Sequence, residues 1–163
     1  MKKIPHQERT LILIKPDALQ RALVGEIIGR FERKGLQLIG MKMVRIDDAL
    51  AAVHYNHLTD KPFYESLRQF ITQAPVVALA LAGPNAVSAV RLIVGPTKGY
   101  EADAGSIRGD LSMSGQSNVV HASDSVENGE QEIGRFFSEA EIFEYTRPDM
   151  HLLYSEFLEK DTE

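Results

Sequence analysis

The chain contains no cysteine, which removes disulfides, thiolate metal sites and cysteine nucleophiles together. Any covalent chemistry must use another side chain. Long apolar runs are missing too: within MKKIPHQERTLILIKPD, the run Leu11 to Ile14 is far too short for a membrane span or a signal-peptide core. This predicts a cytoplasmic protein with no membrane partner. Basic excess is also lacking, because 18 Lys and Arg face 23 Asp and Glu for a net charge of −5, whereas a non-specific nucleic-acid binder carries the opposite balance. An anionic ligand must therefore be held by a local cluster of basic side chains. The phosphate-binding motifs G-x-G-x-x-G and G-x-x-x-x-G-K-[ST] are absent, and the nearest glycine stretch, Gly95 to Gly99, has the wrong spacing.

What is present fits one compact domain over residues 1–163: 44% of the chain is hydrophobic, and no repeat, low-complexity tract or Ser/Gly linker divides it. Arg9 to Ile14 (RTLILI) reads as a strand ending at Lys15-Pro16, because proline biases its predecessor towards extended backbone. Asp17 is placed to cap a helix carrying Leu19, Leu23, Ile27, Ile28 and Phe31, which Lys34-Gly35 would end. Leu36 to Ile46 follows as a second strand, Asp47 to Tyr55 and Pro62 to Thr72 as short helices, and VVALALA (Val76 to Ala82) as a buried strand. Asn85 would cap a helix running through Val94. Gly95 to Gln116 has little periodicity and reads as a long loop, a feature that in a compact domain is usually functional. Asn118 to His121 fits a short fourth strand and Ser125 to Phe137 a helix with Ile133, Phe136 and Phe137 inside. The order predicts a β-α-β-β-α-β core with an antiparallel sheet covered by helices.

A phosphate site built from side chains has five candidates: Lys15 at a strand end, Arg91 on a helix, Thr97 and Arg108 in the loop, and Asn118 near His121. Each is also readable as an ordinary solvated or structural group. The stretch NVVHASDS centres on His121, an imidazole that can be reagent or spectator. Two competing arrangements involve other residues. His54 and His57 with Asp60 have partial metal-ligand character, without a convincing third spacing. Ser123 or Ser125 with His121 and Asp124 has the composition of a hydrolase triad, but residues so close in sequence rarely meet in triad geometry, and the G-x-S-x-G elbow is absent.

Taken together, ERTLILIKPDALQRALVGEII, HYNHLTDKPFYESL, PVVALALAGPNAV, GSIRGD and NVVHASDSVENGEQEI resemble the nucleoside diphosphate kinase family, in order and spacing, from Glu8 to about Tyr154. The resemblance implies an α+β fold, a ferredoxin-like βαββαβ sandwich with a four-stranded antiparallel sheet. It also implies ping-pong transfer of the γ-phosphoryl group of a nucleoside triphosphate such as ATP to a diphosphate such as GDP, by way of a phosphohistidine on His121. Glu132 would orient that imidazole from its other ring nitrogen, with Ser123 supporting the contact. By the same resemblance Lys15, Tyr55, Arg91, Thr97, Arg108 and Asn118 form the cradle, Lys15 and Asn118 also reaching the ribose hydroxyls. Phe63 becomes the base platform and Leu67 an apolar neighbour of the base. Mg2+ would be held mainly by the nucleotide's phosphates and water, without a dedicated protein metal site.

Two positions depart from the family pattern. Gly115 stands where many relatives place an apolar residue over the base, and Ala122 follows the histidine where glycine is frequent. The segment from about 145 to 163, with HLLYSEF, resembles a tail that packs on a neighbouring subunit. A homo-oligomer follows, a hexamer being favoured over a tetramer. A non-enzymatic module would be expected to lose His121 or its cradle, and both are present. A nucleic-acid-binding ferredoxin-like domain would display aromatics on an open sheet face and a basic surface, neither of which is evident.

Overall fold

The computed structural model describes residues 7–154. Its centre is a four-stranded antiparallel sheet with strand order β2-β3-β1-β4, made from β1 (Gln7–Ile14), β2 (Gln37–Val44), β3 (Val76–Pro84) and β4 (Val120–Ala122). Leu11 to Ile14 of β1 and Val76 to Ala82 of β3 are apolar at consecutive positions because both sheet faces are covered there. Along β1, Ile12 and Ile14 enter one core while Leu11 and Leu13 enter the other. Likewise Val77, Leu79 and Leu81 of β3 face the first core, and Val76, Ala78, Ala80 and Ala82 the second.

The first core is closed by α1 (Pro16–Gln20), α2 (Val24–Lys34), α5 (Ala86–Val94) and α6 (Ile107–Leu111). The second is closed by α3 (Asp48–His54), α4 (Tyr64–Thr72) and α7 (Val126–Phe136). A last short helix, α8, spans Met150–Leu153. Gly129 lets α7 lie directly on β1, since a Cβ there would stand 2.5 Å from the Arg9 carbonyl oxygen. The predicted α+β sandwich is therefore found.

Several local expectations change. The helix expected from Asp17 to Lys34 is two helices, α1 and α2, separated by a turn with Ala22 at φ 56. Lys15 holds the N-cap position of α1, and Asp17 accepts a hydrogen bond from Val119 N at 3.1 Å instead of capping. Gly35, at φ 102, ends α2 as the Lys34-Gly35 pair predicts. Asn85 precedes α5 at φ 50 without a side-chain capping bond; the Glu8 carboxylate accepts from Val87 N at 3.0 Å in its stead. The fourth strand starts at Val120, because Val119 at φ 62 breaks the extended run and leaves Asn118 in the loop. The long loop is not structureless: it contains a 3-10 turn at Gly99–Glu101 and α6, which Ser106 caps by accepting from Gly109 N at 3.0 Å. Of the expected tail, 145–154 lies within the described residues and the remainder outside them.

Candidate active site

A cavity of about 530 Å³ opens between the end of β1, the α3 to α4 connection, the long loop and the start of α7. Its wall includes Lys15, Tyr55, Phe63, Leu67, Arg91 and Thr97, and further round Arg108, Asn118, His121 and Glu132. The candidates scattered from residue 15 to residue 132 are thus brought together. Ser123 is the exception, fully buried behind the wall.

His121 is placed by β4, directly opposite Leu13 of β1. Its Nε2 lies 3.2 Å from both oxygens of Glu132. Ser123 supports that carboxylate by donating its hydroxyl to Oε2 at 2.6 Å, while its own oxygen accepts from Leu11 N at 3.0 Å. Burial works against the Glu132 charge, yet the imidazole and the Ser123 hydroxyl outweigh it and hold the carboxyl down at about 2. The carboxylate is therefore ionised at any working pH and accepts from Nε2–H. Nδ1 of His121 keeps its lone pair and, among the described residues, no protein partner.

Lys15 is buried and donates to Asn118 Oδ1 at 2.7 Å. Burial first, then the Arg108 charge, lower its pKa to about 8. Asn118 donates through Nδ2 to the carbonyls of Thr97 and Gly115 at 2.8 and 2.7 Å. Arg108, only 4% exposed, sends Nε to the Asn118 carbonyl, Nη1 to Gly95 and Nη2 to Val120, at 3.2, 3.0 and 2.6 Å. Those three bonds tie both ends of the long loop to β4 and leave two guanidinium N–H groups uncommitted. Burial, then Arg91, lower its pKa to about 10. Arg91 and Thr97 are exposed on the wall. The Tyr55 hydroxyl is buried with no hydrogen-bond partner, and burial pushes its pKa up.

Phe63 is 50% exposed just before α4, and Leu67, one turn on, is buried. Across the cleft Gly115 is open: a Cβ there would meet nothing closer than Lys98 Cγ at 3.7 Å. Gln116 bridges the cleft, pairing its side-chain amide with the Ser66 hydroxyl of α4 at 3.2 Å. Ala122 lies in β4 and is not among the residues with positive φ, so its methyl group causes no backbone strain.

The competing arrangements do not form. Ser123 points to Glu132 and not to His121, Ser125 caps α7 by accepting from Asn128 N at 3.1 Å, and Asp124 accepts from Asn128 Nδ2 at 2.6 Å. His54 does not gather with His57 and Asp60. The one His/Asp/Glu group with metal-ligand proximity among the described residues is His54, His121 and Glu132, whose ligand atoms lie within 4.8 Å of one another. Two imidazoles and one carboxylate do not suit Mg2+, which takes oxygen ligands.

A partly buried carboxylate orienting one histidine nitrogen, in a cavity lined with basic side chains, is an arrangement for moving a phosphoryl group. Comparison with known proteins agrees: the nucleoside diphosphate kinase family profile matches residues 8–142. The chain belongs to the nucleoside diphosphate kinase family. It is 52% identical over 147 residues to the nucleoside diphosphate kinase of Staphylococcus haemolyticus, covering 90% of this chain and 99% of that one. The kinase of Methanobrevibacter smithii is 46% identical over 147 residues, with 90% and 98% covered. Among solved structures, the Halobacterium salinarum nucleoside diphosphate kinase in complex with CDP superposes with a TM-score of 0.89 at 40% identity, covering 91% of this chain and 99% of that chain. The family's reaction is phosphoryl transfer between nucleotides through a phosphohistidine, and this chain is a phosphotransferase of that family.

Among the wall residues that sequence reasoning did not place in the site are His54, Arg135 and Gln116. His54 was read only as half of a histidine pair with His57. Arg135 sits among ordinary helix-surface charges, and Gln116 ends an aperiodic loop, so neither carried a local signal. No helix among the described residues is long and apolar enough to cross a membrane.

Proposed function

We propose that His121 carries the phosphoryl group on Nδ1, and that this chain moves it from nucleoside triphosphates such as ATP to diphosphates such as GDP in ping-pong fashion. The observation that carries this reading is the pairing of His121 Nε2 with Glu132, which directs the remaining lone pair at Nδ1 to the γ-phosphorus. In the first half-reaction the N–P bond forms as the bond from phosphorus to the bridging oxygen breaks, and the diphosphate leaves with the electron pair. In the second half-reaction a terminal oxygen of the acceptor takes the group from nitrogen. Glu132 balances the positive charge that develops on the imidazole, and Ser123 keeps the carboxylate in place.

Arg91, Thr97 and the two uncommitted N–H groups of Arg108 address the phosphates. Lys15 and Asn118 serve the ribose hydroxyls, and Lys15 also serves phosphate. The unpartnered Tyr55 hydroxyl gains a hydrogen bond when a phosphate oxygen arrives, removing the cost of leaving it buried and unpaired. Mg2+ is held by the nucleotide's phosphates and water and supplies charge neutralisation there. The protein's wall carboxylates are already engaged, Glu132 by His121 and Ser123, and Asp124 by Asn128. We read residues 1–163 as one domain acting in the cytoplasm; the single four-stranded sheet with a core on each face supports one domain across the described residues. A homo-oligomer, with a hexamer favoured over a tetramer, uses the segment from about 145 to 163. Exposed Met41 and Met43 on the edge strand β2 support association.

Incubation with γ-labelled ATP tests the reading. An acid-labile, base-stable protein label that GDP discharges is expected, and a label that survives acid overturns it.

For the base, Phe63 is the stacking platform, and the CDP bound by the Halobacterium relative supports acceptance of pyrimidines. Phe63→Ala is expected to raise KM for every nucleotide roughly 5- to 150-fold, the equivalent of about 1 to 3 kcal/mol of stacking. Phosphoenzyme should still form at saturation, because uniform binding is what is lost. Gly115→Val should tighten binding by filling the open face. ADP and CDP titrations check both, and unchanged affinity in Phe63→Ala would make that ring packing and not platform.

Lys15 imposes a pH dependence. Its folded pKa, about 8, lies below the ordinary 10.5, so the unfolded chain binds more protons between those values and stability rises with pH across that window. Nucleotide affinity moves the other way, falling above about pH 8 as the cradle loses a cation. ADP titrations and urea midpoints from pH 7 to about 10 should diverge accordingly; affinity that stays flat above pH 8 removes Lys15 from the cradle.

A further inference from the structure

His54 is 3% exposed and stands edge-on to His121, with ring centroids 4.7 Å apart and planes at 75°. It is wedged between Tyr55, at 4.6 Å, and Phe136, at 5.1 Å. Its Nδ1 lies 3.1 Å from Nη1 of Arg135, eighty-one residues away on α7. A guanidinium only donates, so Nδ1 must be the acceptor and the proton must sit on Nε2. That Nε2 is itself buried without a partner. Arg135 has no carboxylate partner among the described residues, so its cation is turned into the cavity wall and not spent on a surface ion pair.

We propose that Arg135 is a positioning residue for phosphoryl transfer: it clamps His54 as the neutral Nε2–H tautomer, leaving Glu132 as the sole acceptor for His121. The inference rests on the phosphohistidine reading above. Were His54 free to carry its proton on Nδ1, its bare Nε2, unpartnered in the observed arrangement, would be satisfied by a small shift of the adjoining His121 ring that brings the His121 Nε2–H to it and away from Glu132. His121 would then sample orientations that turn Nδ1 away from the incoming phosphorus. With the proton pinned on Nε2, His54 presents only a donor edge, whose positive end favours the Glu132 carboxylate.

Charge on His54 is excluded by the same contact, since an imidazolium would set Nδ1–H against the guanidinium N–H. Burial lowers the His54 pKa most, His121, Arg135 and His57 lower it further, and Glu132 opposes them, leaving it at about 3. The clamp also closes the His54, His121, Glu132 group to a metal ion. Ligation at Nε2 would need the proton moved to Nδ1, where Arg135 already points.

Two variants and one spectroscopic measurement test the clamp. Arg135→Met keeps the stem and removes the donor; Arg135→Lys returns a donor. In the wild type, nitrogen-15 NMR of the His54 ring should show an unprotonated Nδ1 and a protonated Nε2. Arg135→Met should mix the tautomers and slow phosphoenzyme formation by about tenfold, the scale of a small misplacement of a reacting group, with KM for the triphosphate unchanged. Arg135→Lys should recover most of the rate and the single tautomer. A proton on Nδ1 in the wild type overturns the proposal, as does an Arg135→Met protein with wild-type rate and tautomer, or a slow one that lysine does not rescue. Because the tautomer is read without substrate, a wild type that formed no phosphohistidine would sink the proposed function while leaving the clamp separately decided.

Discussion

His121→Ala is expected to give a folded protein that takes no label from γ-labelled ATP and transfers nothing to a diphosphate. The reaction needs an unshared pair aimed at phosphorus, and Nδ1 is the ring nitrogen that the Glu132 contact leaves available. Neither a thiol nor a serine hydroxyl can replace it. Cysteine is absent, Ser123 is buried with its hydroxyl on Glu132, and Ser125 is occupied in capping α7. Loss on the order of 10⁶-fold is the scale seen when a covalent nucleophile is removed. The fold should survive because His121 contributes to β4 through its backbone, opposite Leu13, and its side chain is about one-fifth exposed (21%). A stability cost near 1 kcal/mol is typical of such a site. Single-turnover labelling together with a urea melt separates the two effects. Label at the wild-type level on a folded mutant would move the carrier elsewhere.

Local pattern carried most of the frame. The strands β1 and β3 were legible because residues covered on both faces form unbroken apolar runs, and α7 was legible from Ser125 and its buried Ile133 and Phe136. The eleven-residue interval from His121 to Glu132 was readable through the family resemblance, whereas their contact depends on β4 and α7 packing against β1. What local pattern could not show has non-local causes. The break between α1 and α2 depends on Ala22 adopting φ 56, a conformation alanine does not signal. Helix α6 was hidden because the long loop is organised by Arg108 bonding Gly95, Asn118 and Val120, not by its own periodicity. Arg108 itself was expected only as a phosphate ligand, and its three carbonyl contacts make it the knot of the loop as well. His54 and Arg135 become partners only when α3 and α7 pack on the same sheet face.

Glu132→Gln is the second large effect, expected to slow phosphoenzyme formation by roughly 10- to 1000-fold without abolishing it, as for loss of a supporting acid-base contact. Glutamine keeps the shape of the side chain but loses the charge that balances the imidazole as the N–P bond forms. It also introduces ambiguity. If the amide nitrogen turns to His121 Nε2, the ring must carry its proton on Nδ1, and the nucleophilic pair is gone; if the amide oxygen turns there, the tautomer survives with weaker support. KM should change little, because Glu132 faces the ring and not the nucleotide. A pH signature separates this account from simple misfolding. The folded pKa of Glu132, about 2, lies below the ordinary 4.5, so its contribution to stability is present above 4.5 and lost as pH falls towards 2. Glu132→Gln should therefore lose part of the difference between urea midpoints at pH 7 and about pH 3. A mutant with the wild-type rate would remove Glu132 from the mechanism, and one with a slowed rate but an undiminished midpoint difference would show that the carboxylate is not held ionised by His121 and Ser123.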